Sequence, residues 1–232
     1  EGGFDSSQAA GAFTILITLT HAKSVSGQML CGLDASVPRT VEEKAALLWN
    51  AEVVAVEQAG QLGNPDSVIK FSAAVAGLLL SEYADALSGI STGELNRFIL
   101  CFWEVPKHAE TWEFIQTSTK ETKHFDGLTN IILWEKEQGS LYQYAQSVRH
   151  LNHAAQNWLR GKPNWGKIGV CISKMRDLEA ALYSGEIYDE NCCAIIPHDS
   201  SNLLSLWAYC SSDRYTSEVR AINQSLLVQT KY

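Results

Sequence analysis

Gly89-Ile-Ser-Thr-Gly-Glu-Leu-Asn-Arg-Phe98 runs directly into Ile99-Leu-Cys-Phe-Trp-Glu104, and this junction organises the reading of the chain. Two glycines bracket a short polar loop that ends in Asn96 and Arg97, and an apolar, aromatic run follows. Glycine permits tight turns and close approach of another molecule to the backbone. Asn and Arg are the side chains suited to bidentate reading of adenine and guanine edges. The loop reads as one that presents something, or as an ordinary glycine-rich turn between two elements.

Upstream, Ala12-Phe-Thr-Ile-Leu-Ile-Thr-Leu-Thr20 is β-branched and apolar, and with Gln28–Leu33 it predicts a hairpin-like pair of strands. Thr40 followed by Glu43 is a capping-box signature and opens an amphipathic helix to Trp49. Glu52–Glu57 reads as a strand or a buried turn. Gly63-Asn-Pro-Asp66 is a turn by its chemistry and precedes a strand over Ser67–Phe71. Ala73–Ala84 reads as a buried helix.

Downstream, Thr111–Gln116 and Asn130–Trp134 are strands of a meander, with the turn pair Asp126-Gly127 between them. A helix is expected over Leu141–Leu159, broken by Arg160-Gly-Lys-Pro-Asn-Trp-Gly-Lys-Ile-Gly169. Strands follow at Val170–Ser173 and Cys192–Ile196, joined through Tyr183-Ser-Gly-Glu186. Helices at Ser201–Cys210, capped by Ser201 or Asn202, and at Thr216–Leu227 complete a mixed α/β (α+β) chain of short strands with flanking helices.

With 232 residues the chain is long enough to bury a sizeable core. No apolar run approaches membrane-spanning length, so a soluble protein is expected. Both ends read as cut from a larger protein: the opening Glu1-Gly-Gly-Phe carries no signal peptide, and Leu226–Tyr232 reads as the start of a strand. The six cysteines form no C-x-x-C pair and lie mostly in apolar company, which fits free thiols in a reducing cytoplasm.

The net charge of −8 argues against a uniformly basic surface, yet the charge is unevenly spread. Between Arg149 and Arg176 there are six basic residues and no acidic one: Arg149, Arg160, Lys162, Lys167, Lys174 and Arg176. Interleaved with Trp158, Trp165 and glycines, they form the pattern of a nucleic-acid-facing loop. The competing reading is a solvated basic loop with both tryptophans in the core.

Other constellations carry less. Gly89-Ile-Ser91-Thr-Gly93 matches the nucleophile elbow of serine hydrolases, with Asp126 or Asp199 and His198 as partners, but the elbow needs a strand before the serine and a helix after it. The predicted order here is the reverse. His150 and His153 with Cys171 lack a fourth metal ligand. Glu42/Glu43 and Glu135/Glu137 read as solvated charges rather than a catalytic pair.

The ordered series Gly89–Phe98 with Phe102-Trp-Glu104, Trp165-Gly-Lys-Ile-Gly-Val170, Leu182-Tyr-Ser-Gly-Glu186, Leu206-Trp-Ala-Tyr-Cys-Ser-Ser-Asp213 and Val219-Arg-Ala-Ile-Asn223 resembles the C-terminal half of large single-chain adenine-specific DNA methyltransferases. These belong to restriction-modification and BREX- or DISARM-like phage-defence systems. The resemblance implies that residues 1–60 are the tail of a Rossmann-like catalytic domain and 61–232 a target recognition region cut short at its C-terminus. It implies S-adenosylmethionine as cofactor of the intact enzyme, adenine-N6 methylation of a flipped base, and double-stranded DNA, with other proteins of the defence system, as partners. The glycine-rich cofactor loop and the Asn/Asp-Pro-Pro-aromatic motif are absent, and none of the five prolines adjoins another. This stretch is therefore expected to hold no cofactor and to be inactive alone. The DNA-binding candidates are Thr92, Asn96 and Arg97 on the first loop, and Arg160, Lys162, Trp165, Lys167, Lys174 and Arg176 on the basic segment. A non-catalytic protein-interaction module is the alternative.

Overall fold

The computed structural model describes residues 15–35, 37–38, 40–64, 67–71, 79–105, 110–151, 160–223 and 228. The chain divides into two compact units, Glu1–Ala76 and Gly77–Tyr232. Helices and antiparallel sheets are mixed in it, as the alternating periodicities predict. Among the described residues no helix is long and apolar enough to cross a membrane.

In the first unit, strand β1 (Met29–Gly32) leads to helix α1 (Val41–Asn50) and strand β2 (Val54–Glu57). The capping box is present: Thr40 Oγ1 accepts from the Glu43 amide at 3.3 Å, and Glu43 Oε2 accepts from the Thr40 amide at 3.3 Å. The expected hairpin of Ala12–Thr20 with Gln28–Leu33 is not formed by the described residues, 12–14 lying outside them. Residues 15–20 make no strand, and β1 pairs antiparallel with β2 instead, Met29 opposite Glu57 and Gly32 opposite Val54. The Ser67–Phe71 strand is also absent: Ser67 takes a left-handed φ of 55°, which breaks an extended run. Asp66 of the expected turn lies outside the described residues.

The second unit carries two four-stranded sheets. Strands β3 (Ala84–Ser88), β7 (Gly169–Ser173), β8 (Ala180–Tyr183) and β10 (Cys192–Pro197) form an antiparallel sheet in the order β3-β10-β7-β8. Every residue of β7 is buried, because the sheet is covered on both faces. One face carries Val170, Ile172, Ala180, Cys193 and Ile195, which pack with Leu206 and Cys210 of helix α4 (Leu203–Cys210) and Tyr215 and Val219 of helix α5 (Asp213–Ile222). The other carries Cys171, Tyr183, Cys192 and Ala194 beside Tyr188. A continuous apolar run is what a strand buried on two faces requires, and β7 and β10 were legible for that reason.

The second sheet, order β4-β6-β5-β9, joins β4 (Ile99–Cys101), β5 (Trp112–Gln116) and β6 (Asn130–Leu133) antiparallel and adds β9 (Ile187–Tyr188) parallel to β5. Ile99, Ile115 and Ile132 line its covered face with Phe98, Trp134 and Leu141, the last from helix α3 (Ser140–Ser147). Gly127, at φ +81°, makes the predicted turn between β5 and β6.

Three helix expectations change. Ala73–Ala84 is not one buried helix: residues 72–78 lie outside the described part, Leu80–Glu82 is a single 3-10 turn, and Ala84 already begins β3. The helix expected over Leu141–Leu159 ends at Ser147, with 152–159 outside the described residues. The last helix begins at Asp213 rather than Thr216 because Ser212 Oγ caps it, accepting from the Tyr215 amide at 3.4 Å. Asn202 stands at the N-cap of α4 as expected, without a side-chain cap bond, and Asp199 caps the 3-10 turn Ser200–Asn202 ahead of it, its Oδ1 accepting from the Ser201 amide at 2.9 Å.

Candidate functional site

The chain crosses from one sheet to the other at Ser88-Gly89-Ile90. Gly89 N still donates to Cys192 O at 3.3 Å, as β3 does along β10, whereas Ile90 N donates to Tyr188 O at 2.8 Å and bridges Asp189 in parallel. A Cβ on Gly89 would lie 2.1 Å from Tyr188 O and 2.2 Å from Asp189 O. The first glycine of the loop is thus required by close approach of this chain's own main chain. Gly93 serves a different need, its φ of +65° turning the chain into the short helix α2 (Leu95–Phe98).

Arg97 is held at the tip of this loop. Its Nη1 lies 3.0 Å from Glu94 Oε2, and the guanidinium stands 4.9 Å over the Phe98 ring and 5.1 Å over that of Tyr144. The Tyr144 hydroxyl, from α3, donates to the other carboxylate oxygen of Glu94 at 2.8 Å. The donated Tyr144 hydrogen bond, and then Arg97, hold the Glu94 carboxyl below the usual carboxylate range. Phe98 is fully buried and anchors the arrangement in the core, while Arg97 keeps about half of its side chain in solvent. Asn96 is exposed beside it, and Thr92 is buried.

The basic segment is used differently. Gly161, with φ +83°, packs so closely that a Cβ would meet the Tyr188 ring at 2.7 Å and Ser88 O at 3.1 Å, which brings this segment beside the crossover. Lys162 then pairs with Glu137 at 2.6 Å, and Arg160 lies 3.6 Å from Glu190. Trp165 is a packing residue: it contacts the cores of both sheets, lies edge-on to Trp134 at a ring separation of 5.1 Å, and buries its Nε1–H without a hydrogen-bond partner among the described residues. Trp158 lies outside the described residues.

Lys174 is turned inward, only 8% exposed, donating to Ser88 Oγ at 2.9 Å and Glu190 O at 3.1 Å. Burial holds its ammonium below the usual lysine value. It therefore ties β7 to the crossover and is not available to a phosphate outside. Arg176 is exposed with a left-handed φ of 55°, and its carbonyl accepts from Arg220 Nη2 at 2.5 Å. Lys167 is exposed and makes no salt bridge among the described residues.

The weaker constellations do not assemble. His198 follows β10 at the end that faces Ala84, where it lies 3.3 Å from Asp85 and 3.2 Å from Glu82 O. Ser91 lies beyond the opposite end of β3, with roughly 13 Å of strand between. Asp126 accepts from the Lys120 amide and Asp199 caps a turn, so neither serves Ser91 as a triad acid. A strand does precede Ser91, contrary to the expected helix, but the four-residue α2 begins only at Leu95. Cys171 is buried in β7, His150 is exposed, and His153 lies outside the described residues; among the described residues no group of His, Cys, Asp and Glu could hold a metal. Glu43 and Glu135 cap helices rather than act as acids, with Glu135 Oε2 accepting from the Ser140 amide at 2.7 Å.

β1 and β2 are antiparallel, and the one glycine in β1, Gly32, has its Cβ position filled by the Phe71 ring at 2.3 Å rather than open to a ligand. Tyr144 and Glu94 were missed by sequence reasoning, and Glu137, read there as a solvated charge, pairs with Lys162. The one available signal was the Glu94–Arg97 spacing, which places an acid one helical turn from the base.

No family model and no curated protein matches this chain.

Proposed function

We propose that this chain is a target recognition region of a site-specific adenine-N6 DNA methyltransferase, reading double-stranded DNA with the Gly89–Phe98 loop and steadying it with the neighbouring basic segment. The observation that carries the reading is convergence at Ser88–Ile90. The loop departs there, Gly161 packs there, and Lys174 bonds there, although Gly161 and Lys174 lie 73 and 86 residues from Ser88 in sequence. Methyl transfer in such an enzyme belongs to a domain that binds S-adenosylmethionine, and the described residues take the recognition role.

The roles divide by chemistry. Arg97 and Asn96 are exposed donors on an anchored loop and suit base edges. Lys167 and Arg176 are exposed and suit phosphates, as do Arg160 and Lys162 after exchanging Glu190 and Glu137 for the phosphate. The test is retention of a mixed-sequence duplex at low salt followed by a salt titration. Affinity is expected to fall steeply with salt and to weaken in the Arg160→Ala/Lys162→Ala/Lys167→Ala variant. An unchanged salt profile in that variant overturns the basic-segment assignment.

One observation favours a second reading, a protein-interaction module. Phe102, Trp103 and Phe114 form an exposed aromatic cluster, with ring separations of 5.0 and 6.4 Å and Trp103 63% exposed. A chain that retains no duplex at low salt, but loses a protein partner when Trp103→Ala is introduced, would select that reading.

A further inference from the structure

We propose that Glu94 and Tyr144 are positioning residues that aim the Arg97 guanidinium at the major-groove edge of a guanine. The inference rests on the DNA-recognition reading above and gives its loop a specific ligand, guanine O6 and N7.

The geometry separates base reading from phosphate binding. A residue that neutralises phosphate works best as an uncompensated charge on a mobile stem, like the exposed Lys167. Arg97 is the opposite case. Its charge is matched by Glu94 at 3.0 Å, and its plane is confined by the rings of Phe98 and Tyr144. A carboxylate at that distance repels a phosphodiester but leaves a neutral base edge unopposed. One bond to Glu94 leaves most of the guanidinium's five N–H donors free, enough for a two-pronged contact to O6 and N7.

The clamp is itself fixed from two sides. Tyr144 arrives from α3, fifty residues further along, and uses its hydroxyl to hold the second oxygen of Glu94 at 2.8 Å. Its ring lies 6.0 Å from that of the fully buried Phe98, so the clamp is built on the core of the second sheet and not on the loop alone. Such a support costs little reorganisation on binding, which is what direct readout requires.

The experiment uses the full chain and random-sequence duplexes. Bound duplexes are selected and sequenced, and affinities are measured for one selected duplex and one unselected duplex. The selected sites are expected to contain an invariant guanine, and replacing it with 7-deazaguanine, which lacks the N7 acceptor, is expected to weaken wild-type binding roughly ten-fold. Arg97→Lys keeps the charge but loses the fork, and should reduce discrimination between the selected and the unselected duplex by a similar factor. Tyr144→Phe should do the same to a smaller extent. Glu94→Gln should tighten binding to the unselected duplex while lowering discrimination, a pair of opposite changes that a merely structural role would not produce. Selected sites without guanine, indifference to 7-deazaguanine, or equal loss on both duplexes in Glu94→Gln each overturn the proposal and leave DNA recognition standing. No duplex retention by the wild type at low salt overturns both.

Discussion

Gly89–Phe98 and Arg160–Arg176 are both polar, glycine-broken stretches with cations and aromatics, yet the fold uses their charges in opposite ways. In the first, Arg97 is held at the surface by Glu94, Phe98 and Tyr144. In the second, Lys174 is drawn inside, Lys162 and Arg160 meet carboxylates, and Trp165 plugs the space between two cores. A run of cations in the sequence is thus a poor map of cations on the surface. What decides is which acceptors the packed neighbours offer: Ser88 Oγ and Glu190 O to Lys174, Glu137 to Lys162 and Glu190 to Arg160.

The hinge of that comparison is Gly89, which opens the first stretch and follows Ser88, where Gly161 and Lys174 of the second stretch meet the chain. Gly89→Ala would press a methyl against two main-chain carbonyls that cannot rotate away, and is expected to cost about 3 kcal/mol, the upper end for overpacking. Urea denaturation measures it; a loss below about 0.5 kcal/mol, the scatter of neutral surface changes, would mean that the crossover relaxes and does not tie the stretches together.

Two lysines seven residues apart sharpen the contrast next. Lys174→Ala strips hydrogen bonds from Ser88 Oγ and Glu190 O and should lower stability by about 2 kcal/mol. Lys167→Ala should leave the unfolding midpoint in place and instead reduce the slope of log affinity against log salt by about one. If Lys174→Ala moved the salt slope and not the midpoint, the inward assignment of Lys174 would be wrong.

The smallest expected effect is a pH response of the Arg97 clamp. Because the Glu94 carboxyl is held below its ordinary value, chiefly by Tyr144 and then Arg97, its contribution is complete above the unfolded carboxylate range and is lost as pH falls through the lowered value. Side-chain NMR of Tyr144 in acid titration should show the ring released there. A Tyr144 signal that stays flat through that window would break the clamp.

Much of the second unit was readable. The apolar runs at Val170–Ser173 and Cys192–Ile196 became β7 and β10, and Thr111–Gln116 and Asn130–Trp134 became β5 and β6 around the Asp126-Gly127 turn. Other elements were hidden for physical reasons. β9 has only two residues, too few for any period to show. β8, Ala-Ala-Leu-Tyr, carries two alanines of low strand preference and is a strand because β7 lies beside it. β3 reads as the end of a buried helix because Ala73–Ala84 is rich in alanine, yet its Ala84–Ser88 backbone is claimed by β10. In the first unit the local signal of the Thr40–Glu43 box was reliable, while the long-range pairing of β1 was not.

By itself, then, the sequence determined what depends on near neighbours: caps, turns at glycines with positive φ, apolar strands buried on two faces, and the excess of cations between Arg149 and Arg176. Only the tertiary structure decided which cations reach water. Lys174 and Lys167 are the same side chain in the same segment, just outside opposite ends of β7, and the difference is that Ser88 Oγ and Glu190 O receive the first while the second stays exposed. The same holds for Arg97, whose orientation depends on Tyr144, which reaches Glu94 from fifty residues away and which no local pattern could supply. Long-range contacts of this kind are made only once the sheets are paired, because the chain between them must first be closed.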